Sequence, residues 1–233
     1  MNVSILTLFP EALQAYLDSS IIARARQAGL LRVELYNIRD YTMDKHRRVD
    51  DYPFGGGAGM VMTPQPIFDA VAAVQQRHGE GCLRVYMSPQ GRVLDNRLAR
   101  ELSARQDIMI LCGHYEGVDQ RVLDECIDLE ISIGDYVLTG GELPALVLLD
   151  CVSRFIPGVL GNDDAHADES FENGLLEYPQ YTRPANFRGL EVPAVLLNGN
   201  HAHINRWRQA KSLEKTRDVR ADLAEKHEDN QQS

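Results

Sequence analysis

Residues 83–155 read LRVYMSPQGRVLDNRLARELSARQDIMILCGHYEGVDQRVLDECIDLEISIGDYVLTGGELPALVLLDCVSRF. Three apolar runs of strand length stand in this stretch: Leu83 to Met87, Ile108 to Cys112 and Ile127 to Ile133. Between and after them lie amphipathic stretches of helix length, Leu94 to Ala104, Val118 to Asp124 and Leu143 to Phe155. Such alternation implies strands joined by crossover helices, an α/β layer structure with a mostly parallel sheet. The pattern extends back to the start, with strands predicted over Val3 to Leu8 and Leu31 to Ile38. Helices are predicted over Pro10 to Leu17, Ile21 to Ala28 and Pro64 to His78. Pro10 and Pro64 suit first-turn positions, and Gly29 and Gly79 suit helix ends. No internal repeat is visible.

Beyond this region the apolar periodicity stops. From Gly161 to Gln180 the chain carries Asp163, Asp164, Asp168, Glu169, Glu172 and Glu177 with no Lys or Arg. A loop this long without structure of its own is functional or a linker, and both readings are kept. After it, PQYTRP and VPAVLLNGN read as an extended connection. A basic helix from about Asn200 and a last helix over Asp218 to His227 make a small helical C-terminal domain, and the EDNQQS tail is expected to fray. The domain plan is therefore 1–160, an acidic linker 161–177, and 178–233.

Composition limits the function classes. The 233 residues are 44% hydrophobic and 25% charged, ordinary for a globular chain with enough apolar side chain to bury a core. No run approaches the ~20 apolar residues of a membrane span. The opening MNVSILTLFPEAL has no basic leader or cleavage-type site, which points to a soluble, cytoplasmic protein. Cys82, Cys112, Cys126 and Cys151 are too far apart for a CxxC redox or zinc pattern and read as reduced thiols in the core. The net charge of -10 argues against a general nucleic-acid coat. Six of those excess charges sit in the single acidic segment, however, and Lys45-His46-Arg47-Arg48 and Arg206-Trp207-Arg208 are basic clusters. A polyanion partner is compatible with that distribution.

Ligands of open α/β sheets bind outside the carboxyl ends of the strands. Three loops occupy such positions: Ser88-Pro89-Gln90-Gly91, Gly113-His114-Tyr115-Glu116-Gly117, and Gly134 to Pro144. Each alone reads equally as a tight turn of structural glycines, but three in succession favour a shared pocket. The first strand is followed by Phe9-Pro10-Glu11 rather than a glycine fingerprint, which disfavours a dinucleotide or Rossmann methyltransferase site. There is no GxxxxGK[ST], HExxH or GxSxG. The glycine run 55–59 is expected to follow no strand and to be a mobile loop or one that closes over substrate. Arg154 reads as a helix C-terminal charge or as a guanidinium clamp on an oxyanion. Asp168, Glu169, His46 and Asp50 read as solvated loop charges, and Trp207 as a core residue.

SPQG, CGHYEG, SIGDYVLTGGELPA, SRFIPGVLG and YTRP, with HRRVDD and FGGGAGM upstream, resemble the bacterial tRNA (guanine-N1)-methyltransferases, the TrmD type of SPOUT enzyme. The resemblance runs from Leu6-Thr7-Leu8-Phe9-Pro10 to Gly199-Asn200-His201-Ala202 and the Trp207 helix. It implies a SPOUT domain with a deep trefoil knot in which S-adenosylmethionine lies bent. The matching cofactor positions are Ser88, Pro89, Gly113, His114, Tyr115, Glu116, Gly117, Ile133, Gly134, Asp135, Tyr136, Val137, Leu138, Gly140, Gly141 and Pro144. It also implies an obligate homodimer with sites shared between the chains. The implied substrate is a tRNA guanosine just 3′ of the anticodon, position 37, preceded by another guanosine.

In that family an arginine facing O6 matches Arg154. The general base is an aspartate directly before Ser-Phe in the interdomain linker; here that position holds Glu169, with Asp168 one residue earlier. His46, Arg47 and Asp50 match positions near the substrate, and Arg206 and Arg208 lie on the tRNA-gripping helix. The resemblance also implies magnesium dependence, with Glu116 a candidate participant, although the sequence offers no ligand cluster. Two other readings compete: a non-catalytic RNA-binding module that kept the fold, and an enzyme of the same fold acting on another RNA. The retained cofactor loops, Arg154 and a linker carboxylate argue against the first. The acidic linker and the YTRP-to-Trp207 segment argue against the second.

Overall fold

A computed structural model describes residues 1–161 and 169–232. Asp163, Asp164 and Asp168 lie outside the described residues. The chain divides into two compact units, residues 1–161 and 162–233.

The first unit runs β1 (Asn2–Thr7), α1 (Pro10–Leu17), α2 (Ser20–Gln27), β2 (Arg32–Asn37), β3 (Asp50–Asp51), β4 (Val61–Met62), α3 (Pro64–His78) and β5 (Leu83–Val93). It continues through α4 (Asn96–Ser103), β6 (Asp107–Cys112), α5 (Gln120–Cys126), β7 (Leu129–Ser132) and α6 (Glu142–Ser153). Five strands form one parallel sheet in the order β2-β1-β6-β5-β7. Alternate side chains of each strand enter different cores. Val3, Ile5, Val85, Met87, Ile108 and Ile110 pack with residues of α1, α2, α4 and α6. Leu6, Tyr86, Met109 and Leu111 pack with residues of α3 and α5. Both faces are covered, which is why these strands read as nearly continuous apolar runs.

Local chemistry sets the helix ends. Pro64 opens α3, and Gly79 closes it at φ +81°, its amide donating to Gln75 O. Asp95 and Asp119 accept from the amides of Leu98 and Arg121. These caps explain why α4 and α5 begin two residues later than apolar periodicity alone predicts. Three of the four free cysteines, Cys82, Cys112 and Cys126, are buried, and Cys151 is half-buried.

Two expectations need correction. Ser88-Pro89-Gln90-Gly91 is not a loop after a finished strand, because β5 continues to Val93. Met87 and Arg92 both stand opposite Ile131 of β7, so these four residues bulge out of the ladder between them. Pro89 has no amide to donate and is tolerated where the ladder is interrupted. Gly91 is required by close approach: a Cβ there would lie 2.4 Å from the carbonyl carbon of Glu130. The glycine run 55–59 was expected to follow no strand, yet β3 and β4 flank it as a short antiparallel pair, Asp50 opposite Met62.

The second unit contains a small hairpin, β8 (Asn186–Phe187) and β9 (Leu190–Glu191), followed by α7 (His201–Val219) and α8 (Ala221–Gln232). Asn200 caps α7 by accepting from His203 N at 3.2 Å. Within the unit, Thr216 is fully buried and its hydroxyl accepts from Leu176 N at 2.9 Å.

Candidate active site

At the carboxyl ends of β5, β6 and β7 the first unit opens into a cavity of about 330 Å³. That lies within the range of small-molecule sites, ~300 to 1,000 Å³. The bulge of β5, the 113–117 loop and the 133–141 loop all contribute to its wall. In the middle loop, Gly117 N donates to His114 O at 3.0 Å, with Tyr115 at φ +60° and Gly117 at φ +121°. In the third loop, Tyr136 N donates to Gly134 O and its hydroxyl to Ile133 O, folding the loop on itself.

The third loop then returns past β5 to β6. Gly141 N donates to Gly113 O at 2.9 Å, and a Cβ at Gly141 would stand 2.6 Å from Cys112 Cα. Backbone therefore packs on backbone at this point, and only glycine fits.

The chemistry of the wall is selective. Glu116 and Glu130 line the cavity, and among the described residues no Lys or Arg does. Met87, Ile131, Ile133, Leu138 and Pro144 supply apolar surface. Such a wall suits a neutral or cationic ligand with an apolar body and disfavours the phosphates of a nucleotide cofactor. S-adenosylmethionine, with its sulfonium and ammonium groups, fits that donor set. Tyr86 lines the cavity from β5, and burial, with Glu130 and Cys112 nearby, pushes its phenol up to about 12. Burial likewise holds the Cys112 thiol well above its ordinary value, which removes it as a nucleophile.

Residues 1–226 match the family described as tRNA (Guanine-1)-methyltransferase TrmD. The chain belongs to that family. Among its relatives, a protein of Ruminiclostridium cellulolyticum named tRNA (guanine-N(1)-)-methyltransferase is 57% identical over 226 residues, 97% of each chain. Proteins of the same name from Clostridioides difficile and Alkaliphilus metalliredigens are 52% and 54% identical. Those two alignments cover 97% and 96% of this chain and 98% and 91% of the relatives. The five-stranded parallel sheet is thus the core of a TrmD-type SPOUT domain.

Of the cofactor positions expected of a TrmD member, Ser88, Pro89, Gly113, Tyr115, Glu116, Gly117, Ile133, Gly134, Tyr136, Val137, Leu138, Gly140, Gly141 and Pro144 all line this one cavity. Asp135 is exposed and does not line it. His114, within the expected 113–117 stretch, lines it too; Tyr86, Glu130 and Ser132 line it as well, although sequence reasoning did not single them out. Tyr86, Glu130 and Ser132 belong to β5 and β7, where residues just ahead of a loop look like any other strand residue.

The polar residues expected near RNA are distributed along both units. Arg154 ends α6, half-buried, its amide donating to Asp150 O. Glu169 is a half-buried residue of the second unit, and its carbonyl accepts from Glu172 N. Asp168 falls outside the described residues. His46 and Arg47 are exposed on a turn built on Asp44, which accepts from His46 N through its carboxylate and from Arg47 N through its carbonyl. Arg47 also pairs with Asp40. Asp50 is half-buried in β3. On α7, Arg206 is exposed, while the Arg208 guanidinium lies 4.7 Å over the Tyr178 ring. Trp207 is half-buried beside Tyr181 rather than a core residue.

Proposed function

We infer that the chain transfers the methyl group of S-adenosylmethionine to N1 of the guanosine at position 37 of tRNA, directly 3′ of the anticodon. The observation that carries this reading is the convergence of three strand-end segments on one acidic, lysine- and arginine-free cavity in a TrmD-family chain. S-adenosylmethionine supplies an activated methyl group, but guanine N1 carries a proton and is a poor nucleophile. The chain must take that proton and stabilise the charge drawn onto O6. Glu169 accepts the N1 proton and Arg154 donates to O6; Asp168 is the alternative base. His46, Arg47 and Asp50 hold the anticodon region, and Arg206 and Arg208 hold phosphates.

Three further features belong to this reading. A trefoil knot is supported by the 133–141 loop, which leaves edge strand β7, crosses the end of β5 and binds back to β6. A homodimer is supported by an apolar surface on α6 and its surroundings, where Leu143 is 62% and Val137 81% exposed. Such surface is costly in water and suits a second copy of the chain. A cytoplasmic location is in keeping with the tRNA substrate; no helix among the described residues is long and apolar enough to cross a membrane. Among the described residues no cluster of three His, Cys, Asp or Glu could hold a metal, so no step is routed through one.

Labelled methyl transfer tests the reading, using a tRNA transcript with two guanosines at the anticodon's 3′ edge and a control with the second replaced by adenosine. Label on the first transcript alone, mapping to guanine N1, is the expected result. Label on both, or on neither, defeats it. Glu169→Gln is expected to lower kcat by ~10² to 10⁴ while leaving binding of the methyl donor intact. A full rate in Glu169→Gln together with a slow Asp168→Asn variant moves the base to Asp168.

A further inference from the structure

Glu142 is 8% exposed, and nothing in the methyl transfer step uses its carboxylate. Its Oε1 accepts from Thr7 Oγ1 at 2.5 Å, and its Oε2 accepts from His114 Nε2 at 2.7 Å. Glu142 is also the first residue of α6, so the free amides of that helix end favour its negative charge. A carboxylate buried this far needs such partners. The imidazole is fixed in turn, with Nε2 as donor and the ring against Phe9 at 4.9 Å between centroids.

His114 lines the cavity, and the other cofactor loop rests on the same pair. A Cβ at Gly140 would fall 2.4 Å from His114 Cε1 and 2.7 Å from Glu142 Oε2. His114 and Gly140 also form an isolated antiparallel bridge, next to the Gly141 to Gly113 hydrogen bond. Both loops therefore meet over one buried imidazole–carboxylate contact, whose far anchor is the end of β1.

We propose that Thr7, Glu142 and His114 are a positioning relay that sets the spacing of the 113–117 and 133–141 loops and thereby the affinity for the methyl donor. The inference rests on the reading that this cavity binds S-adenosylmethionine. Thr7 and Glu142 act through loop backbone, and His114 links them to the cavity wall. Removing one partner leaves a buried acceptor or donor unsatisfied, and the backbone over it must open to admit water. That displacement widens a cradle that has no spare room at Gly140.

Calorimetric titration of S-adenosylmethionine into the wild type, Glu142→Gln, His114→Phe, Thr7→Val and Thr7→Ser tests the relay, with Tm and steady-state rates measured in parallel. Glu142→Gln and His114→Phe are expected to weaken donor binding roughly tenfold or more. Thr7→Val should weaken it less, and Thr7→Ser, which restores the hydroxyl, should return it to the wild-type value. At saturating donor, kcat of Thr7→Val should stay within about twofold of wild type, the mark of lost uniform binding rather than lost chemistry. Wild-type donor affinity in His114→Phe and Thr7→Val would overturn the relay, as would a fall in kcat with donor binding unchanged. Should Glu142→Gln fail to fold, the Thr7→Val and Thr7→Ser pair decides alone. A wild-type chain that binds no donor refutes the cofactor reading and the relay with it, whereas wild-type binding with unaffected variants refutes only the relay.

Discussion

Ser4 Oγ stands 3.3 Å from His78 Nε2, and His78 Nδ1 stands 2.9 Å from Asp107 Oδ1. The order is that of a hydrolase triad, yet Ser4 is 2% exposed and Asn2 already shares the Asp107 carboxylate. Identical residue types make a nucleophile or a buried strut according to access alone. The same limit governed how much of the candidate site was legible. Glycines at strand ends announce close backbone approach, so the three cavity segments stood out. The burial of Glu142 did not, because an acidic residue opening a helix is ordinary and its partners lie far away in sequence, at Thr7 and His114.

A second charged pair gives a prediction at this scale. Arg84 donates through Nε and Nη2 to the Asp128 carboxylate, which holds Asp128 below its ordinary pKa. A depressed folded-state value contributes stability above the unfolded pKa, and that contribution disappears as pH falls through the folded value. Arg84→Met should therefore reduce unfolding free energy at pH 7 by about 1 kcal/mol, since solvent screens the pair. The deficit should vanish in acid, once pH has fallen through the lowered folded value and Asp128 is protonated in both wild type and variant. Urea titrations at pH 7 and in acid check it; an equal deficit at both would mean that the loss comes from packing.

Among the elements, α1 and α3 coincide with their sequence bounds because proline fixes each start. Four of the five strands of the parallel sheet were legible from apolar runs, to within two residues at their ends. β5 was not, since Pro89 and Gly91 ordinarily stop a strand. What lets it continue is the partner: β7 takes up Met87, then Arg92, against the same Ile131. That bulge makes one wall of the cavity, so its integrity is measurable in binding. Gly91→Ala drives a methyl group into the Glu130–Ile131 backbone and should cost about 2 kcal/mol or more of stability. It should also weaken donor binding at least tenfold, about the effect of 1.4 kcal/mol. Calorimetry and a urea melt test both, and unchanged donor affinity in a destabilised protein would separate the bulge from the site.

On the scale of the whole molecule, an acidic chain must hold a polyanion. The excess of ten negative charges includes six in one stretch of twenty residues, 161–180, which leaves basic surface elsewhere, notably on α7. Binding of tRNA should weaken steeply with salt, and Arg206→Ala should make the slope of log K against log salt shallower by about 1. Filter binding across a salt series measures this; an unchanged slope removes Arg206 from phosphate contact. The α/β architecture and the change of character near residue 160 could be read from periodicity and charge. The proposed knot and homodimer could not, because neither leaves a periodic mark on a linear string; both entered through resemblance.

The Gly141 to Gly113 hydrogen bond joins segments on either side of α5 and β7 and closes the cavity last in chain order. A site closed in this way has no partial version: a nascent chain exposing residues only to β7 has the bulge and the middle loop but not the third wall. Ligand capture and completion of the native topology are then linked equilibria, and the methyl donor acts as a thermodynamic latch. Each tenfold rise in free donor above its dissociation constant adds about 1.4 kcal/mol against opening of the 133–141 segment. In a cell rich in the donor, the resting enzyme is accordingly more resistant to unfolding and proteolysis than the purified chain.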